Sequence, residues 1–191
     1  MIKQKIFISR ERKNEIKEIV LDIIKHCEIS SLPVKLNDIT KKYKIRCVKM
    51  DKIGVRNSKG ANVINEDGYI IKSGETYIIA YNPAHSKARL RYTFTCQLAH
   101  IFLGHMANAE ANRVTDVEAA YFADELLMPL SVLDSYGARS ATDIAKRCDV
   151  SYSAAKIRSK DFVRRDKYKK VHGETEYDIE FLNCFFGSKN K

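Results

Sequence analysis

The chain has 191 residues, 45% of them hydrophobic, with eight Gly, three Pro and a formal net charge of +10. A chain of this length buries enough surface to hold a core without a disulfide or metal staple; its apolar fraction excludes disorder, and no run approaches the ~20 apolar residues of a membrane helix. The five cysteines, Cys27, Cys47, Cys96, Cys148 and Cys184, form no C-x-x-C pair, and the opening residues MIKQKIFISRERK lack a secretory hydrophobic region, so a reducing cytoplasm is expected.

From Ser9, a fitting N-cap, Ile16, Ile19, Val20, Ile23, Ile24 and Cys27 recur at helical spacing and predict an amphipathic helix. After Ser30 to Pro33, the residues Leu36, Ile39 and Tyr43 suggest a short second helix leading into an extended stretch from Ile45 to Met50. The period then changes. Ala61 to Asn65, Tyr69 to Lys72 and Thr76 to Tyr81 are rich in Val, Ile and Tyr, and the turn signals Asp67-Gly68 and Ser73-Gly74 separate them, as in an antiparallel meander. Helical spacing returns from about Ala84 to Leu103, where Leu90, Phe94, Leu98 and Ile101 make a stripe expected to face the core and Gly104 is a natural stop. Another helix is expected from about Thr115 to Met128, closed by Pro129, and helical segments continue through Tyr168 with a break near Val150-Ser151. Residues Glu174 to Phe186 mix charge with aromatics and read either as a last strand or as a loose segment.

On the long helix Cys96 and His100 stand four apart, about 40° from each other on one face, and can ligate one ion. Zinc peptidases use this spacing in H-E-x-x-H, where two imidazoles hold the metal and the Glu takes a proton from its water. Here the five residues are Cys96-Gln97-Leu98-Ala99-His100. A third ligand would be a carboxylate on a following helix. Glu118 shares a stripe with Phe122 and Leu126, where an unpaired carboxylate is costly, although Glu125 lies near the same stripe.

At these residues the chain resembles the ImmA/IrrE family of zinc metallopeptidases, whose members process regulatory repressors in trans. That family's R-F-T-x-A-H-E-L-G-H-x-x-L-G-H and E-A-N-x-F-A-x-E-L-L-M-P compare with RYTFTCQLAHIFLGH from Arg91 to His105 and EAAYFADELLMP from Glu118 to Pro129. The resemblance also takes in the N-terminal helix, the strands and DIAKRCDVSYSAAKIR from Asp143 to Arg158. It implies an α+β fold, with a small antiparallel sheet packed against zincin-like motif helices and a helical C-terminal part. The expected layout is one domain over residues 1–172, with N-terminal helices over 1–60, the strand meander over 61–83, the motif helices over 84–130, helix-turn-helix-like helices over 131–172 and a tail over 173–191.

Carried over residue by residue, the resemblance makes His100 the second ligand histidine and Glu118 the ligand glutamate, with Cys96 at the first histidine and Gln97 at the catalytic glutamate. Thiolate ligates zinc well, but its charge weakens the ion as a Lewis acid. An amide accepts no proton at any useful pH, and losing a general base costs ~10² to 10⁴ in rate. The expectation is therefore a metallopeptidase-fold regulatory protein with impaired or lost hydrolysis, engaging a helix-turn-helix repressor or related regulator. The alternative is an active zinc endopeptidase using Cys96, His100 and Glu118.

Plainer readings stand beside these. Cys96 reads equally as a small buried hydrophobe, His105 as a helix-end histidine bonded to terminal carbonyls, and Thr115 to Glu118 as a capping box. Asp143 to Arg158 has the layout of a helix-turn-helix, so a DNA-binding regulator reading through Tyr152 to Lys160 is a further alternative. The eight basic residues between Lys156 and Lys170 read first as a solvated face.

Overall fold

A computed structural model describes residues 7–50, 67–105 and 113–187. The strand expected over Ala61 to Asn65 lies outside them. Contacts divide the chain into two compact units, one of Met1–Ile16 with Leu36–Ala123 and one of Lys17–Lys35 with Asp124–Lys191.

Helix α1 (Arg10–His26), which belongs to the first unit up to Ile16 and to the second from Lys17, begins where expected, because the Ser9 hydroxyl accepts the Arg12 backbone N–H at 3.1 Å. Helix α2 (Leu36–Lys42) leads into strand β1 (Arg46–Lys49). Strands β2 (Gly68–Ser73) and β3 (Thr76–Tyr81) form a hairpin around Gly74, whose φ of +57° is a backbone conformation that glycine adopts without penalty. The sheet order is β1-β3-β2, and β1 runs parallel to β3 with Arg46 opposite Ile78. The sheet is therefore mixed rather than wholly antiparallel. Alternating Val and Ile reveal that a segment is extended but not which neighbour it joins or in which direction.

Helix α3 (Lys87–Phe102) packs on β2 and β3; the Ser86 hydroxyl caps its start, and Gly104, at φ +71°, follows its end. The expected apolar stripe only partly describes its burial. Of that stripe Leu98 alone is fully buried, whereas Thr95, Gln97, Ala99 and His100 are buried beside it. The last turns of α3 are thus enclosed on several sides, and Phe102 lies between the rings of Tyr43 and Phe122, at centroid distances of 4.7 and 6.2 Å. Helix α4 (Arg113–Leu127) starts before Thr115, so Thr115 is a helical residue and the capping-box reading of Glu118 fails.

In the second unit Pro129 precedes helix α5 (Leu130–Ser135). Helices α6 (Ala141–Cys148) and α7 (Tyr152–Ser159) are capped by Ser140 and Ser151 and joined through Asp149, whose φ is 55°. The two helices pack on each other, and Ile144, Cys148, Val150 and Ala155 are buried. Helix α8 (Asp161–His172) follows. Helix α9 (Glu176–Phe186) corrects the reading of the tail: it is neither a strand nor loose. Tyr177, Phe181 and Phe185, spaced four apart, bury one face, and the Thr175 hydroxyl accepts the Asp178 N–H at 3.1 Å. Among the described residues no helix is long and apolar enough to cross a membrane.

Candidate functional site

The chemistry-bearing residues of the first unit converge where α3 ends. Gly104 turns the chain out of the helix and brings His105 back beside His100, so that their Nδ1 atoms lie 3.0 Å apart. The opposite nitrogen of His105, Nε2, is 2.9 Å from Glu118 Oε2 on α4. The same carboxylate oxygen accepts from the Arg12 guanidinium on α1 at 2.8 Å, and Arg12 also pairs with Glu15 at 2.9 Å. At the far end His100 Nε2 lies 4.0 Å from Asp116, a side chain that is mostly exposed.

Which ring nitrogens donate depends on the tautomers of the two histidines. In the neutral tautomers, Glu118 accepts from His105 Nε2–H, which leaves His105 Nδ1 as an acceptor for His100 Nδ1–H. His100 Nε2 then carries a lone pair. Burial and the neighbouring His105 hold the pKa of His100 below the usual imidazole range, with Asp116 opposing, so the neutral ring is favoured. Burial pushes the Glu118 carboxyl up, but hydrogen bonds from Arg12 and His105 outweigh it and hold the net value below the usual carboxylate range. Those bonds to Glu118 and Glu15 raise the Arg12 guanidinium further, so it stays charged.

Of the residues singled out from the sequence, the structure joins His100 and Glu118 through His105 rather than directly. Cys96 is half-buried one turn before His100. Gln97 is 1% exposed, and neither atom of its amide has a hydrogen-bond partner among the described residues. A buried polar group left so costs ~1–3 kcal/mol, and an apolar side chain there would fold at less expense. His105 is not bonded to terminal carbonyls as its position past the helix suggested; the closing L-G-H of the motif segment was its only sequence signal. Arg12 gave none, since it meets Glu118 across 106 positions.

The donor set suits zinc by chemistry, but its arrangement does not. A zinc ion needs three protein lone pairs converging at about 2.0–2.3 Å, whereas Glu118 already carries Arg12 and His105, and the two imidazoles face each other. Among the described residues no group of three His, Cys, Asp or Glu side chains is disposed to hold a metal ion. Arg12 supplies instead the positive charge that the buried carboxylate requires. Replacing Arg12 with Met is expected to lower stability by ~1–3 kcal/mol, less than for a fully buried pair because Arg12 is about one-third exposed. Urea unfolding measures this, and an unchanged midpoint would show that the pair contributes nothing.

Glu118 and Glu125 have different partners. Glu125 belongs to the second unit, where the Arg158 guanidinium lies 3.1 Å from its Oε1 and Tyr177 donates to its Oε2 at 3.4 Å. Arg158 Nε also donates to the Met128 carbonyl at 2.9 Å. Arg158 is 2% exposed, so this residue of the expected DNA-reading segment is turned inward and reads nothing.

Compared with known proteins, residues 42–160 match the model of a peptidase family described as the IrrE N-terminal-like domain. No curated protein is significantly similar to the chain.

Proposed function

The chain belongs to the peptidase family described as the IrrE N-terminal-like domain, and we propose that it is a regulatory protein that keeps the metallopeptidase fold and a partner-binding site while hydrolysing poorly or not at all. Its partner is a helix-turn-helix repressor or related transcriptional regulator, the class that the family resemblance implies. The reading is supported by one observation: Gln97, at the position of the proton acceptor, is buried with no hydrogen-bond partner among the described residues. Peptide hydrolysis needs an acceptor for the proton of the attacking water, and an amide cannot be one. His100 Nε2 holds a lone pair, but its ring is buried.

An active zinc endopeptidase built on Cys96, His100 and Glu118 is the competing reading. It would require Glu118 to release Arg12 and the imidazoles to turn. Mixing the purified chain with helix-turn-helix repressors, with zinc present, tests the two. Titration calorimetry should detect a complex, and mass spectrometry should find the repressor intact. Efficient cleavage that a chelator stops would end the proposal.

A further inference from the structure

Helix α8 presents two unlike faces. Its inner side carries Phe162, Arg165 and Lys169: Phe162 is buried, while Arg165 binds Asp134 at 3.0 Å and Glu174 at 2.6 Å. Lys169 also pairs with Glu174. At 100° per residue, Arg164, Lys167 and Val171 project on the opposite side with Lys160, all within roughly 60° of arc, and Val163 and Lys170 flank them. Val163 and Val171 are 61% and 73% exposed, so this side is uncovered in the second unit.

The carboxylates of the segment do not neutralise that face. Asp161 pairs with the buried Arg158 at 3.3 Å and reaches the outward Arg164 only at 3.9 Å, and Asp166 pairs with Arg139. Lys156, Lys160, Lys167 and Lys170 are exposed and have no acidic partner among the described residues. Lys160 to Lys170 therefore make a row of cations about 15 Å long on a rigid helix. It lies on the helix that directly follows the helix-turn-helix of α6 and α7.

From this arrangement we propose that the outer face of α8, with the C-terminal end of α7, docks on the phosphate backbone of duplex DNA. A rigid polyanion of regular charge spacing complements such a row. An anionic membrane surface fits less well, because the apolar part is two valines among lysines rather than a broad face with Leu, Phe or Trp. The inference is independent of the reading of the Gln97 site. It differs from groove reading through α7, since Arg158 is unavailable and the contacts are to phosphate. Binding should therefore be insensitive to sequence.

Fluorescence anisotropy with a labelled 20-base-pair duplex of mixed sequence tests it on the full chain. Four phosphate contacts predict micromolar-range binding at 50 mM salt that weakens about 100-fold by 200 mM. The variant Lys160→Gln/Arg164→Gln/Lys167→Gln/Lys170→Gln should lose at least ~30-fold in affinity at 50 mM and most of the salt slope. A control of equal net charge, Lys35→Gln/Lys41→Gln/Lys42→Gln/Lys87→Gln, should stay within about threefold. Should the quadruple variant lose its helical circular dichroism, Arg164→Gln and Lys167→Gln singly should each reduce the slope by about one. Equal losses in test and control, no binding to the duplex at 50 mM salt, or capture by phosphatidylserine vesicles in place of the duplex would each overturn the proposal.

Discussion

Replacing Arg158 with Met is expected to destabilise the second unit by ~3–5 kcal/mol, the largest loss any single substitution in the polar network should produce. Both partners are enclosed, with side-chain exposures of 3% for Arg158 and 7% for Glu125. The variant would therefore leave a carboxylate buried without its counter-charge and orphan the Met128 carbonyl that Arg158 Nε now satisfies. Removing both charges together, as Glu125→Leu/Arg158→Met, should recover most of the loss, because a buried ion pair is worth little more than well-packed apolar residues. Urea midpoints of the two variants measure this. Equal losses in the single and double variants would mean that packing, not charge, holds the site.

The same pair sets an acid dependence. Burial raises the Glu125 carboxyl, but Arg158 and then Lys17 outweigh it, and the net value falls below the usual carboxylate range. A group depressed on folding contributes stability that is complete above its unfolded pKa, about 4.3. That contribution is lost as pH falls through the lower folded value. The unmodified chain should accordingly lose more stability between pH 5 and pH 3 than Glu125→Leu/Arg158→Met does, a difference that thermal melts at those pH values would reveal.

The second large effect concerns hydrolysis. Arg12→Met/Cys96→His/Gln97→Glu frees Glu118 and places an imidazole and a proton acceptor where the motif that the chain resembles has them, and cleavage of a repressor or unstructured peptide in zinc-containing buffer should exceed that of the unmodified chain by ~10² to 10⁴. With Arg12 retained on Glu118, the double variant Cys96→His/Gln97→Glu should gain less. Gln97→Glu alone should do less, since the ligand set would keep the thiol. If the unmodified chain already cleaves as fast as the double variant, Gln97 is not what limits the reaction.

Periodicity made α1, α3, α4 and the α6–α7 pair legible, because each carries an apolar repeat between a cap and a stop, such as Ser9 before α1 and Gly104 after α3. It failed at α9, where Tyr177, Phe181 and Phe185 do keep helical spacing, but acidic residues between them obscured the repeat. The direction of β1 was not legible either, since strand pairing depends on partners distant in sequence. At the site, His100 and Glu118 stood out as polar residues within motif segments. Arg12 did not, because an arginine near the start of an amphipathic helix looks like any solvated cation until the fold brings it to a buried carboxylate. Glu125 and Glu118 looked interchangeable on one stripe; only the three-dimensional neighbours, Arg158 for one and Arg12 with His105 for the other, separate them.

The Arg12 guanidinium supplies the positive charge at Glu118. Anomalous diffraction at the zinc edge from crystals grown with zinc tests it most directly. No peak is expected beside His100, and Arg12 should still be bonded to Glu118. A zinc peak ligated by Cys96, His100 and Glu118, with Arg12 displaced, would contradict it.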